Sequence, residues 1–261
     1  MMRYLILLRM FLGNAVRTET EYRADFFAHT IISLFWLAWA GLSIGVFYRF
    51  TDTVAGWTYS QLLVVIGLFF CVNGLRQAVI QPNLSEMSSY VRQGTLDFLL
   101  LKPVNSQFVV SFRHLNVHAV VDVVIGLAVA VIAAGFAGTL GVAEFAMFLW
   151  LITMGAVALY GVSLLLHSLT VWIVTSIGIE HLLQAALEVG RFPSTFYHAA
   201  VRLALTVVVP VALMTTIPAE ALLGRATVNL LLMATGIALA FTALGSLTWR
   251  RALKSYTSAG G

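Results

Sequence analysis

Residues 119–137 read AVVDVVIGLAVAVIAAGFA: nineteen positions carrying a single charge, Asp122. That is close to the length a helix needs to cross about 30 Å of hydrocarbon, and the run lacks the strict alternation of a half-buried strand. The rest of the chain agrees with it. Of 261 residues, 60% are hydrophobic and only 10% charged, and the mean hydropathy is +0.93, so there is too little polar surface to coat a soluble core. In lipid the backbone must satisfy its own hydrogen bonds, which leaves helices as the spanning element. The expectation is an all-α polytopic membrane protein forming one transmembrane domain over residues 1–261.

Working outward from that stretch, segments of sufficient length bounded by charge, proline or aromatic residues lie at 27–48, 58–80, 106–137, 143–173, 198–217 and 226–249, giving six transmembrane helices. Most Lys and Arg residues precede span one, surround the link between spans two and three, flank the link between four and five, or follow span six. Only Arg49 and Arg225 fall on the other side. Cytoplasmic loops retain positive charge, so both termini are expected to be cytoplasmic. The net charge of +4 is that bias and calls for no nucleic acid, since the basic residues are spread along helix ends. Cys71, the one cysteine, can build neither a disulfide framework nor a thiolate cluster within the chain. No cleaved leader is expected, because the first apolar run follows Glu19, Glu21 and Asp25.

Two segments are helical in pattern but too polar to span. Residues 1–25 place Leu5, Leu8, Leu12, Ala15 and Val16 on one stripe, as for an interfacial amphipathic helix. In 174–197, Ile179, Leu182, Leu183, Ala186 and Leu187 repeat at three and four, with Glu180, Gln184 and Glu188 opposite, so this segment is placed as a cytoplasmic amphipathic link. The segment 249–261 reads as a cytoplasmic tail.

Residues 94–105, GTLDFLLLKPVN, sit in the 82–104 link and are greasy but bracketed by Asp97, Lys102 and Pro103. Pro82 should end span two, Gly94 should interrupt a short helix, and Thr95 should cap a second one that Pro103 stops. The expected result is a bent knuckle showing Leu96, Phe98 and Leu99 to an apolar surface. Its mixed charges suit a protein groove at least as well as anionic lipid.

That knuckle, with YRADF at 22–26, GWT at 56–58, RFP at 191–193, VVPVALMTTIPAEALLG at 208–224 and WRRALKSYTSAG at 249–260, resembles the permease subunits of bacterial ABC-2 type exporters, in the six-span, viologen-exporter-like branch. The resemblance implies a half-transporter in the bacterial cytoplasmic (inner) membrane, with a coupling helix between spans two and three. That helix would seat in a separate ATPase dimer through Glu86, Tyr90, Arg92, Leu96, Asp97 and Phe98. A second permease half, related or identical, would complete the path for a small hydrophobic or cationic compound. The residues agree on one point: no G-x-x-x-x-G-K-[ST] occurs, so the chain is expected not to be an enzyme by itself, and ATP and Mg would be bound by the partner ATPase.

Charge inside a membrane is expensive and asks for a reason. His114, His118 and Asp122 recur at four-residue spacing and would share one helical face; Ser163 and His167 repeat the step in span four and could face the same seam. His118, Asp122, Ser163 and His167 are therefore the candidate substrate path. A buried hydrogen-bonded seam is the plainer alternative, and no metal site is expected from one helix face. Two rivals use the same residues: a proton-coupled secondary transporter through Asp122 and His118, and an intramembrane hydrolase with Ser163, His167 and Asp122. The first lacks evident inverted repeats and the second any nucleophile-elbow motif.

Overall fold

The computed structural model describes residues 2–21, 23–138, 141–173 and 177–256, and among them the regular structure is helical. The chain runs through α1 (Met2–Glu21), α2 (Arg23–Phe47), α3 (Tyr59–Leu75), a π turn (Arg76–Ile80), α4 (Gln81–Leu84), α5 (Met87–Arg92), α6 (Leu96–Leu100), α7 (Ser106–Phe112) and α8 (Val117–Phe136). It continues through α9 (Val142–Ser168), α10 (Thr170–Ile173), α11 (Ile177–Val189), α12 (Ala199–Val207), α13 (Val211–Met214), α14 (Thr216–Leu222) and α15 (Val228–Ser255). Among the described residues, five helices are long and apolar enough to cross a membrane: α2, the continuous run Tyr59–Arg92, α8, Val142–Trp172 and α15. This is the all-α polytopic architecture that composition predicts.

Small residues set the packing. A Cβ added to Gly126 would stand 2.5 Å from the Gly67 carbonyl oxygen, and one on Gly67 would stand 2.6 Å from that of Gly126, so α3 and α8 touch backbone to backbone. Ala119, Ala130 and Ala134 continue the buried stripe of α8. The second tight pair is α9 with α15: a Cβ on Gly161 would meet the Thr242 nitrogen at 2.6 Å, and one on Gly245 the Gly161 carbonyl oxygen at 2.7 Å. Lipid tails are as apolar as leucine, so close approach and dispersion, rather than the hydrophobic effect, hold such pairs together.

The knuckle and both described chain ends lie at one face of the bundle. Arg3 donates to the Pro103 carbonyl at 3.2 Å, and the Tyr4 ring packs edge-on against Phe108 at 4.8 Å. Burial and the Asp97 carboxylate together push the Tyr256 phenol upward. The apolar side of α1, with Met2, Leu5, Ile6, Met10, Leu12 and Val16, is exposed, as an interfacial helix requires.

The predicted cytoplasmic link 174–197 is corrected. Residues 174–176 lie outside the described residues, but the remainder runs from the knuckle face to the far face. Glu180 meets Arg76, midway along the run Tyr59–Arg92, and His167, near the end of the run Val142–Trp172 that leads to the knuckle face. Gly190 abuts Val211 and Thr215. The Trp57 indole nitrogen, in the far-face loop, donates to Thr195 Oγ1 at 2.8 Å. Residues 177–196 thus provide the fifth passage. The predicted span 198–217 is instead part of a re-entrant hairpin, α12 and α13–α14 bent by 69°. Both its ends return to Trp57: Arg202 donates to the Thr195 carbonyl at 3.3 Å, and Arg225 lies 5.1 Å over the Trp57 ring. Pro210 stands at the break between its arms, where it can neither donate nor continue α12.

Other expectations shift with the fold. Span 106–137 is broken at Arg113–Asn116, so its polar start is the separate helix α7. Trp57 and Trp249 are buried at 2% and 1% exposure, whereas Trp36, Trp39 and Phe136 face outward. Residues 249–255 of the predicted tail are the last turns of α15; 257–261 lie outside the described residues.

Candidate functional site

Span two passes Pro82 without stopping. Pro82 has no N–H for the Ala78 carbonyl, and that carbonyl instead accepts from the Asn116 backbone at 2.9 Å. Asn83 secures the same junction: its amide donates to the carbonyls of Val79 at 2.5 Å and His114 at 2.6 Å, while its oxygen accepts from the His114 N–H at 2.8 Å. The break between α7 and α8 is thereby stapled to span two. Helix geometry then carries on to Arg92, where Gly94 turns the chain at φ +68°, a conformation glycine adopts without steric cost.

Beyond that turn α6 has two faces. Leu96 and Leu99 are buried, together with Leu84 and Met87 of the preceding turns, whereas Phe98 is 69% and Leu101 80% exposed. Of the six residues expected to contact an ATPase, Glu86, Arg92 and Phe98 point outward, and Tyr90 and Asp97 are half-buried. Leu96 is corrected: it anchors the knuckle to the core and is not available to a partner, and Leu99 likewise faces inward. Leu101, overlooked in the sequence, takes the place of Leu96 on the outer face. Tyr90 donates to Glu86 at 2.7 Å, fixing the first outer carboxylate. Thr95 does not cap α6; its backbone is helical and its buried hydroxyl has no hydrogen-bond partner.

The candidate path residues fall into two groups rather than one seam. In the first, Asp122 of α8 faces His29 of α2 at 3.7 Å, with the His29 and His118 rings 5.0 Å apart. Asp122 is 7% exposed, and its Oδ1 is buried without a hydrogen-bond partner. His114 does not share their helical face, because it lies in the break before α8. In the second group, Arg76 bonds Glu180 of α11 and reaches the Asn73 side chain at 3.3 Å. The His167 Nε2 stands 3.3 Å from the other Glu180 oxygen. Arg76 is 2% exposed, and His167 and Ser163 are fully buried.

The chemistry open to each group follows. His167 Nδ1 is 2.8 Å from the Ser163 carbonyl, which can only accept, so Nδ1 carries hydrogen and Nε2 is the atom turned to Glu180. Ser163 Oγ has no partner and Asp122 pairs elsewhere, so the nucleophile, base and orienter of a hydrolase are not assembled. No group of three or more His, Cys, Asp or Glu suited to a metal ion occurs among the described residues. What remains is a buried carboxylate edge at Asp122, able to meet a cation or a proton, and an ion network tying the fifth passage to spans two and four.

Sequence reasoning missed His29 and Glu180. Glu180, Leu183 and Leu187 fall at i, i+3 and i+7, so the carboxylate belongs to the buried stripe; Leu182, counted in that stripe, is exposed. His29 sits one turn into span one with Asp25 before it, a signal too weak to select it.

Comparison with known proteins adds one positive finding. The family described as ABC-2 family transporter protein matches residues 34–260. No curated protein and no solved structure matches the chain.

Proposed function

The chain belongs to the ABC-2 transporter family, and from the premise that it is a membrane permease of an ABC transporter we propose that it is the transmembrane half of an ATP-driven exporter. Its motor is a separate ATPase dimer that binds ATP and Mg, and the chain itself catalyses no hydrolysis. A second permease half, related or identical, completes the path through the bacterial inner membrane. The knuckle is the observation that carries this reading. Leu96 and Leu99 root it in the core under span two, while Phe98, Leu101, Arg92 and Glu86 present an apolar patch with charges of both signs. A rooted, two-faced helix transmits a push from a cytoplasmic partner in a way that a floating lipid anchor does not. With residues 191–202 at the far face, eleven of the fifteen Lys and Arg residues still lie toward the knuckle face, which supports cytoplasmic termini.

Phe98→Glu should abolish co-elution of the purified permease with its cognate ATPase, and Asp97→Lys should weaken it. Loss of an anchoring aromatic at an interface centre is worth about 2 kcal/mol or more, roughly thirtyfold in affinity. A Gly13→Ala control should leave co-elution unchanged. Full retention of the ATPase by Phe98→Glu would remove the knuckle from the interface, and full-rate transport without any ATPase would end the exporter reading.

For the cargo, a small hydrophobic or cationic compound fits the unpartnered Asp122 oxygen beside His29. Asp122→Asn keeps the shape and removes the charge, so it should reduce resistance to cationic toxins about tenfold while sparing ATPase co-elution. The magnitude is that of one charge-assisted contact, about 1.5 kcal/mol. Unchanged minimum inhibitory concentrations would take Asp122 off the path.

A further inference from the structure

A cavity of about 400 Å³ opens near the far face between α2 and the turn that follows α11. Trp39, Phe47, Phe192 and Phe196 supply its aromatic walls, and among the described residues no carboxylate lines it. Arg191 also borders it, with Nε buried and without a hydrogen-bond partner. A buried donor on a permanently charged group is costly unless something accepts from it. Tyr48 and Val54 of the far-face loop also line it, which sets the cavity near headgroup depth.

We propose that this groove holds an anionic phospholipid of the surrounding membrane, one acyl chain against the aromatic walls and the phosphate on Arg191. Three observations select that occupant. The volume lies toward the small end of ligand pockets and suits one chain rather than a bulky ring system. The walls are apolar except for one guanidinium, whose donor fork matches phosphate oxygens. The lining offers no acid to receive the ammonium of a zwitterionic headgroup, so net negative lipid is favoured. The neighbouring guanidinium, Arg202, is committed to the Thr195 carbonyl and leaves Arg191 as the recognition group. The groove is distinct from the Asp122 cluster, and the inference stands whether or not the exporter reading does.

The test is quenching of tryptophan fluorescence by brominated-chain lipids in reconstituted vesicles, using full-length protein and reading the Trp39-dependent part as the difference from Trp39→Phe. Brominated phosphatidylglycerol should quench that component at about fivefold lower mole fraction than brominated phosphatidylcholine, the preference expected of one basic residue at the headgroup level. Arg191→Gln should bring the ratio close to one, and Arg191→Lys should retain most of it, which separates charge recognition from misfolding. Equal quenching by the two lipids in the wild type, or an undiminished preference in Arg191→Gln, overturns the proposal. So does quenching that appears only after dimers are dissociated, since the groove would then be a contact between copies of the chain.

Discussion

Glu180→Ala will destabilise the protein by about 3–5 kcal/mol, the cost of leaving a buried charge without its partner. Arg76 is 2% exposed and Glu180 is the carboxylate paired with it, so deletion of that carboxylate strands a guanidinium in a low-dielectric setting. The stranded group drags on the fold in a specific place: the fifth passage is tied to spans two and four by this carboxylate, since Glu180 also faces His167. Thermal unfolding in detergent, followed by monodispersity on size exclusion, reads the effect. The double variant Arg76→Met/Glu180→Met should recover most of the loss, because a well-packed apolar pair often matches or exceeds a buried ion pair. If Glu180→Ala unfolds at the wild-type temperature, the network does not hold the fifth passage.

Gly126→Leu should have the other large effect. The α3–α8 contact leaves no room for even one methyl, as a Cβ there would overlap both the Gly67 carbonyl oxygen and the Cys71 nitrogen, each at 2.5 Å. Gly126→Ala is expected to cost about 1–3 kcal/mol through forced backbone displacement, and leucine should prevent spans two and three from docking at all. The readout is the fraction of monodisperse protein recovered by fluorescence-detected size exclusion. Gly13→Leu, on the open surface of α1 where an added Cβ meets nothing within 4 Å, is the matched control. Recovery of Gly126→Leu equal to that of Gly13→Leu would mean that the close approach is dispensable.

The passages that could be read from sequence are those whose apolar character runs unbroken. The stretch around Asp122 announces α8 because one charge in nineteen residues cannot hide its hydropathy. The fifth passage could not be read in this way. Its polar residues satisfy an amphipathic pattern equally well on a membrane surface or turned inward onto Arg76, and periodicity does not say which face meets what. Its neighbour 198–217 has the composition of a span, yet Pro210 breaks it and both ends return to Trp57. Composition counts apolar residues but not direction.

The same limit governs the site. Phe98 and the charges of the knuckle were legible as an exposed element, but the division between inward Leu96 and outward Leu101 depends on where Gly94 turns the chain. The pairing of Asp122 with His29 joins residues 93 positions apart in sequence. Four-residue spacing finds neighbours on one helix and is blind to such partners. It therefore grouped Asp122 with His167, whereas the fold gives each its own company.

The π turn at Arg76–Ile80 has a practical corollary for anyone who scans span two by mutation. An extra residue in the helical ladder advances everything after it by ~100° of azimuth. Positions on either side of that turn therefore keep different angular time. A heptad wheel drawn through Tyr59–Arg92 would assign lipid-facing and core-facing sectors wrongly for its lower third, and the wheel must be re-zeroed at Gln81.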